Sequence, residues 1–66
     1  MNPVQELCKL AEQAGIAPTT RLGTAWNRLA RDRRFARDLP PRWAVRGFED
    51  HTLADARDLA TRGGAR

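Results

Sequence analysis

Pro40 and Pro41 stand side by side past the middle of this 66-residue chain. Neither has an N–H to give to a helix or a sheet ladder, and each biases the residue before it towards extended backbone. No regular helix and no central strand runs through such a point. Further punctuation falls at helix-length intervals, at Asn2-Pro3, Gly15 with Pro18, Gly47 and Gly63-Gly64. Between these marks apolar residues recur at three- and four-residue spacing, and no alternating run of β-branched residues occurs. The expectation is an all-α fold, one small helical domain over residues 1–66. It would be a compact orthogonal bundle of three main short helices, at about 3–14, 20–31 and 52–62, with one or two short helical turns at about 33–38 and 41–46.

The first helix has its start and stop written locally. Asn2 can accept from a free amide and Pro3 suits the first helical position, where its missing N–H costs nothing. Val4, Leu7, Cys8, Ala11 and Ala14 form an apolar stripe backed by Glu6, Lys9, Glu12 and Gln13. Gly15 can adopt the left-handed conformation that closes a helix, with Ile16 folding back on the last turn. Thr19 or Thr20 is then the expected cap of the second helix, whose stripe is Leu22, Ala25, Trp26 and Leu29. Gly23, in its first turn, allows a close approach.

Phe35 breaks this pattern. With Leu22 at 0° on a helical wheel, Trp26 lies at about 40° and Leu29 at about 340°, whereas Phe35 falls near 220° at roughly 100° per residue. A helix break at Asp32, with the aspartate capping a new short helix from Arg33, would return Phe35 to the core. The alternative is one continuous helix over 21–38 with Phe35 turned towards a partner. After the prolines, a short turn through Val45 closed by Gly47 places Phe48 where the helix-closing motif makes its apolar contact, so Trp43 and Phe48 are a predicted packing pair. Thr52 and Asp55 form a capping box for the last helix. Its inner face is Leu53, Ala56 and Ala60 with Leu59 beside them, and Asp58 can pair with Arg62 at i,i+4. Gly63-Gly64 would end it, leaving Ala65-Arg66 frayed. The short echoes Leu29-Ala30-Arg31-Asp32, Phe35-Ala36-Arg37-Asp38 and Ala56-Arg57-Asp58-Leu59 are too brief to be repeat units and reflect composition bias.

A chain of this length buries only about 60% of its unfolded surface, so its stability margin is narrow. Self-association, as a homodimer, or a larger partner would add buried area. An apolar fraction of 41% and a charged fraction of 30% fit an ordered domain rather than a disordered one. Cys8 is the single cysteine, which excludes an intramolecular disulfide. No run of about 18 apolar residues spans a membrane, and Met1-Asn2-Pro3 lacks the basic and apolar regions of a signal peptide. The reading is therefore a complete cytoplasmic chain starting at Met1, without tag or leader.

Catalysis has little foothold. The chain has one histidine, His51, one cysteine, Cys8, and no serine or tyrosine. Cys8 falls in the apolar stripe of the first helix, where thiols are inert, and His51 sits at a helix entry. Glu49, Asp50, His51 and Asp55 lie close in sequence without metal or acid–base spacing, and a structural zinc site wants four ligands that this inventory does not supply. No glycine-rich phosphate loop is present. The expectation is a non-enzyme without cofactor, metal or small-molecule substrate.

Charge is the informative signal. Residues 21–46 hold eight arginines against Asp32 and Asp38, a net of +6 in a chain whose total is +4. Arginine outnumbers lysine throughout, since Lys9 is the one lysine, and with abundant alanine this tracks a GC-rich coding bias as well as function. Arg28, Arg31, Arg33, Arg34, Arg37 and Arg42 could grip phosphates through forked hydrogen bonds, with Trp43 beside them. The leading expectation is a small basic regulator that contacts DNA or RNA backbone. A helix–turn–helix is poorly supported, because the segment before Pro40 is too short for a recognition helix. The alternative is a protein-binding accessory factor or inhibitor that docks on a larger protein, with arginine and tryptophan as anchors. A third possibility is that the arginines form no more than a solvated helix face.

Overall fold

The computed structural model describes residues 2–64 and the side chains of residues 2–61. Its elements are α1 (Pro3–Gln13), α2 (Leu22–Ala30), α3 (Arg33–Ala36), a 3-10 turn (Arg42–Val45) and α4 (Leu53–Gly64). The fold is all-α, as its punctuation predicts, and no strand occurs among the described residues. Among them, too, no helix is long and apolar enough to cross a membrane.

Local chemistry explains α1 at both ends. The Asn2 side chain accepts from the Val4 amide at 2.9 Å, with Pro3 at the first helical position. At the other end Gly15 takes φ +75°. The Ile16 amide then donates to the Ala11 carbonyl at 2.9 Å and the Gly15 amide to that of Glu12 at 3.1 Å. This pair of bonds is the Schellman closing motif, and it folds Ile16 back towards the core.

The start of α2 differs from expectation. Neither Thr19 nor Thr20 caps it. The cap residue is Arg21, without a side-chain bond, and the helix begins at Leu22. Its first amides are taken by carbonyls from far along the chain: Leu22 donates to His51 at 2.8 Å and Gly23 to Glu49 at 3.2 Å. The exchange is reciprocal, since Leu53 and Ala54 at the head of α4 donate to Thr20 at 2.9 Å and Pro18 at 3.2 Å. Thr52 adds its hydroxyl, which accepts from the Asp55 amide at 3.2 Å. Each loop thus satisfies the free amides of the other's helix, and the closeness this requires falls on buried Gly23. A Cβ there would lie 3.3 Å from the Glu49 Cβ and 3.4 Å from its carbonyl oxygen.

Asp32 breaks the chain as its capping chemistry predicts. Its carboxylate accepts from the Arg34 amide at 2.9 Å in extended backbone, and α3 follows. Phe35 becomes half-buried against the core. The continuous 21–38 helix does not form. Beyond the prolines, the chain makes a 3-10 turn closed by Gly47 at φ +95°. The Trp43–Phe48 packing expected there is not the arrangement found. The Phe48 amide donates to Val45 rather than to Trp43, at 3.1 Å, so the α-type closing motif that would have set the contact is missing. Phe48 instead faces the His51 ring at 6.3 Å, and Trp43 is 77% exposed.

The core is built around α1, which packs on α4, on α2 and on the 3-10 turn. Val4, Leu7, Cys8 and Ala11 meet Leu22, Ala25 and Leu29 from α2, Val45 from the turn, and Leu53, Ala56 and Ala60 from α4. The alanines let backbones approach closely, and half-buried Leu10, Ile16, Trp26, Phe35, Leu39 and Phe48 close the periphery. Leu59 belongs to the surface rather than the inner face of α4. The expected Asp58–Arg62 pair and the expected fraying of Ala65-Arg66 lie outside the described residues.

Candidate functional site

Four contacts strap residues 40–42 to α2. The Trp26 indole N–H donates to the Pro40 carbonyl at 2.9 Å, and Pro40 is buried. The Arg42 guanidinium lies over the other part of the same indole, 5.2 Å from the ring centroid, and its Nη1 donates to Asn27 Oδ1 at 3.0 Å. Its Nη2 also lies against Gly23. Val45, fully buried, pins the far end of the turn. The turn is therefore held at both ends, and Trp43 projects from it.

Arg42, Trp43, Arg46 and Glu49 line a shallow, open depression. Trp43 and Arg46 are three residues apart, and the Arg46 amide donates to the Trp43 carbonyl at 3.3 Å where the turn ends. Glu49 is occupied structurally: its carboxylate accepts from the Gly47 amide. Backbone amide donors, its own first, and the Arg42 charge hold this carboxyl below its ordinary range against the opposing effect of desolvation. Near the end of α2, Arg31 lies four residues from Asn27 and three from Arg28, so it neighbours both exposed side chains. The Asn27–Arg42 bond joins that face to the depression.

The arginines of α3 divide differently. Arg34 is engaged locally, with Nη2 on Asp32 Oδ2 at 3.1 Å and its guanidinium 5.4 Å from the Phe35 ring centroid. The hydrogen bond from Arg34 is the main reason the Asp32 carboxyl sits below its ordinary range, and the Arg34 guanidinium is pushed further up in return. Arg33 and Arg37 are exposed at the two ends of α3, as are Arg28, Arg31, Arg42 and Arg46 elsewhere. Of the expected site residues, then, Arg28, Arg31, Arg42 and Trp43 join one continuous surface through Asn27. Arg33 and Arg37 belong to the separate α3 segment, and Arg34 is committed to its own helix cap. Arg46, Asn27 and the supporting role of Trp26 were not expected. The spacing of Arg42, Trp43 and Arg46 on a short turn is the signal that would have found Arg46.

The other chemical groups are placed structurally. The Cys8 thiol is buried and donates to the Leu53 carbonyl at 3.5 Å. Burial pushes it up from the ordinary thiol value, only partly offset by the Arg57 charge. His51 faces Phe48 and gives its carbonyl to α2. No group of three or more His, Cys, Asp or Glu among the described residues is placed to hold a metal ion. In comparisons with known proteins, no family model, no curated protein and no solved structure matches the chain.

Proposed function

We propose that this protein is a small nucleic-acid-binding regulator that contacts the phosphate backbone through its arginines. The observation that carries the reading is the state of the basic segment. Arg28, Arg31, Arg33, Arg37, Arg42 and Arg46 are all exposed, while Asp32 is committed to Arg34. Guanidinium groups presented this way focus positive potential and offer forked donors to phosphate oxygens. The lone free Cys8 suits a partner met in the reducing cytoplasm.

Fluorescence anisotropy with labelled duplex and single-stranded oligonucleotides, at about 50 mM salt and above, tests this. Log affinity should fall linearly with log salt, by about 0.9 per phosphate contacted in duplex and about 0.7 in single strands. Arg28→Ala or Arg31→Ala should reduce that slope by about 1 and weaken binding uniformly across sequences. Absence of binding to either probe at low salt sinks the reading. Exposed Trp43 between Arg42 and Arg46 favours a second one, a protein-docking accessory factor with those residues as anchors. Affinity purification with and without nuclease separates the two: a specific protein partner that survives nuclease and is lost in Trp43→Ala supports docking.

A further inference from the structure

Resting on the nucleic-acid reading, we infer that the Trp43 surface selects unpaired bases, so that the chain prefers single-stranded over duplex nucleic acid. Trp43 is the most exposed large apolar side chain among the described residues, at 77%, and it is presented rather than loose. The turn beneath it is fixed by the Trp26 bond to Pro40, by the Arg42–Asn27 bond and by buried Val45. An indole projecting from a fixed turn gives a base an open aromatic face, with the backbone beneath it already ordered.

The charges beside it match a strand rather than a helix of DNA. Arg42 and Arg46 flank Trp43 within the same depression, and Asn27 connects Arg42 to the Arg28–Arg31 face of α2. This layout is an exposed aromatic with cations beside it, the two elements that single-strand sites combine. Glu49, the one carboxylate in the depression, already accepts the Gly47 amide and lies under the Arg42 charge. A paired duplex keeps its bases stacked inside and gives the indole nothing to cover. α3 has four residues, too few to serve as a helix lying in a major groove, and Arg42 is bonded to Asn27 on the exposed side of α2.

The test is anisotropy with fluorescein-labelled dT12 and a 12-base-pair duplex, at about 50 mM salt, for the wild-type chain, Trp43→Ala and Trp43→Phe. Thermal melts would check that both variants fold, as an exposed side chain allows. The expected result is tighter binding of dT12 than of the duplex, with Trp43→Ala weakening dT12 by roughly 5- to 150-fold. Trp43→Phe should retain most of the affinity, and duplex binding should change little in either variant. If both probes bind equally and Trp43→Ala is silent, the stacking inference is overturned while phosphate contact stands. If neither probe binds, both readings fall. If poly-L-glutamate competes with dT12 as well as an unlabelled dT12 strand of equal charge does, the surface recognises acidic chains generally, and selection of bases is overturned.

Discussion

At the scale of single residues, the two tryptophans have divided two jobs. Trp26 is half-buried, and its indole N–H satisfies the carbonyl of buried Pro40, while its ring carries Arg42. Trp43 sits on the same strap and packs little of its surface. Removing the indole N–H strands a buried acceptor, whereas truncating the exposed ring strands nothing. Trp26→Phe should therefore destabilise the fold by about 1–3 kcal/mol. Trp43→Ala should stay within about 0.5 kcal/mol. Urea midpoints at unchanged slope are the measurement, and the reverse order would mean that Trp43 holds the turn. The same division explains what composition could reveal about the site. A net +6 segment with exposed arginines is visible in the sequence. That Asp32 engages Arg34 in an ion pair, and that Asn27 bonds Arg42 to α2, depends on side chains meeting in space.

At the scale of elements, the legible parts are those whose cause lies within a few residues. Asn2, Asp32 and Thr52 each cap the amide two or three positions ahead, so their chemistry could be read directly from sequence. Gly15 is of the same kind, and it yields a sharp expectation. Its φ of +75° disfavours any residue with a Cβ, yet a Cβ there would meet nothing within 4 Å. Gly15→Ala should therefore cost the backbone penalty alone, about 1–2 kcal/mol. Gly15→Asn should cost less, because asparagine tolerates the left-handed region. Thermal melts of the pair check this, and equal losses would point to packing instead of backbone. The start of α2 was not legible for the opposite reason. Its caps are the carbonyls of Glu49 and His51, which no local motif announces. The Trp43–Phe48 pair failed on a subtler point: a 3-10 turn and an α-helical turn share the same proline and glycine boundaries, but place the closing bonds differently.

At the scale of the molecule, the reciprocal capping between residues 18–23 and 49–54 ties the heads of α2 and α4 together, and α1 lies across both. The largest fully buried side chains among the described residues are no bigger than leucine and valine: Leu7, Leu22, Leu29, Val4 and Val45. A chain of 66 residues has about 3–10 kcal/mol of stability in all, at typical values per residue. Leu7→Ala, which opens a cavity where α1 meets the rest of the core, should remove about 2–5 kcal/mol of it. That loss is large enough to populate the unfolded chain measurably. Cys8 is the built-in reporter: adjacent to Leu7, buried, and hydrogen-bonded to Leu53 across the α1–α4 contact. Because Cys8 is buried between α1 and α4, labelling by a thiol reagent is faster when that contact opens. Where opening is in rapid equilibrium, the labelling rate follows the open population, so a loss of 2 kcal/mol should speed it roughly 30-fold. If the chain opens as one unit, Trp26→Phe should also accelerate Cys8 labelling in proportion to its own loss of stability. If labelling in Trp26→Phe stays at the wild-type rate, α1 and α4 separate locally, and the strap that presents Trp43 is a unit independent of them.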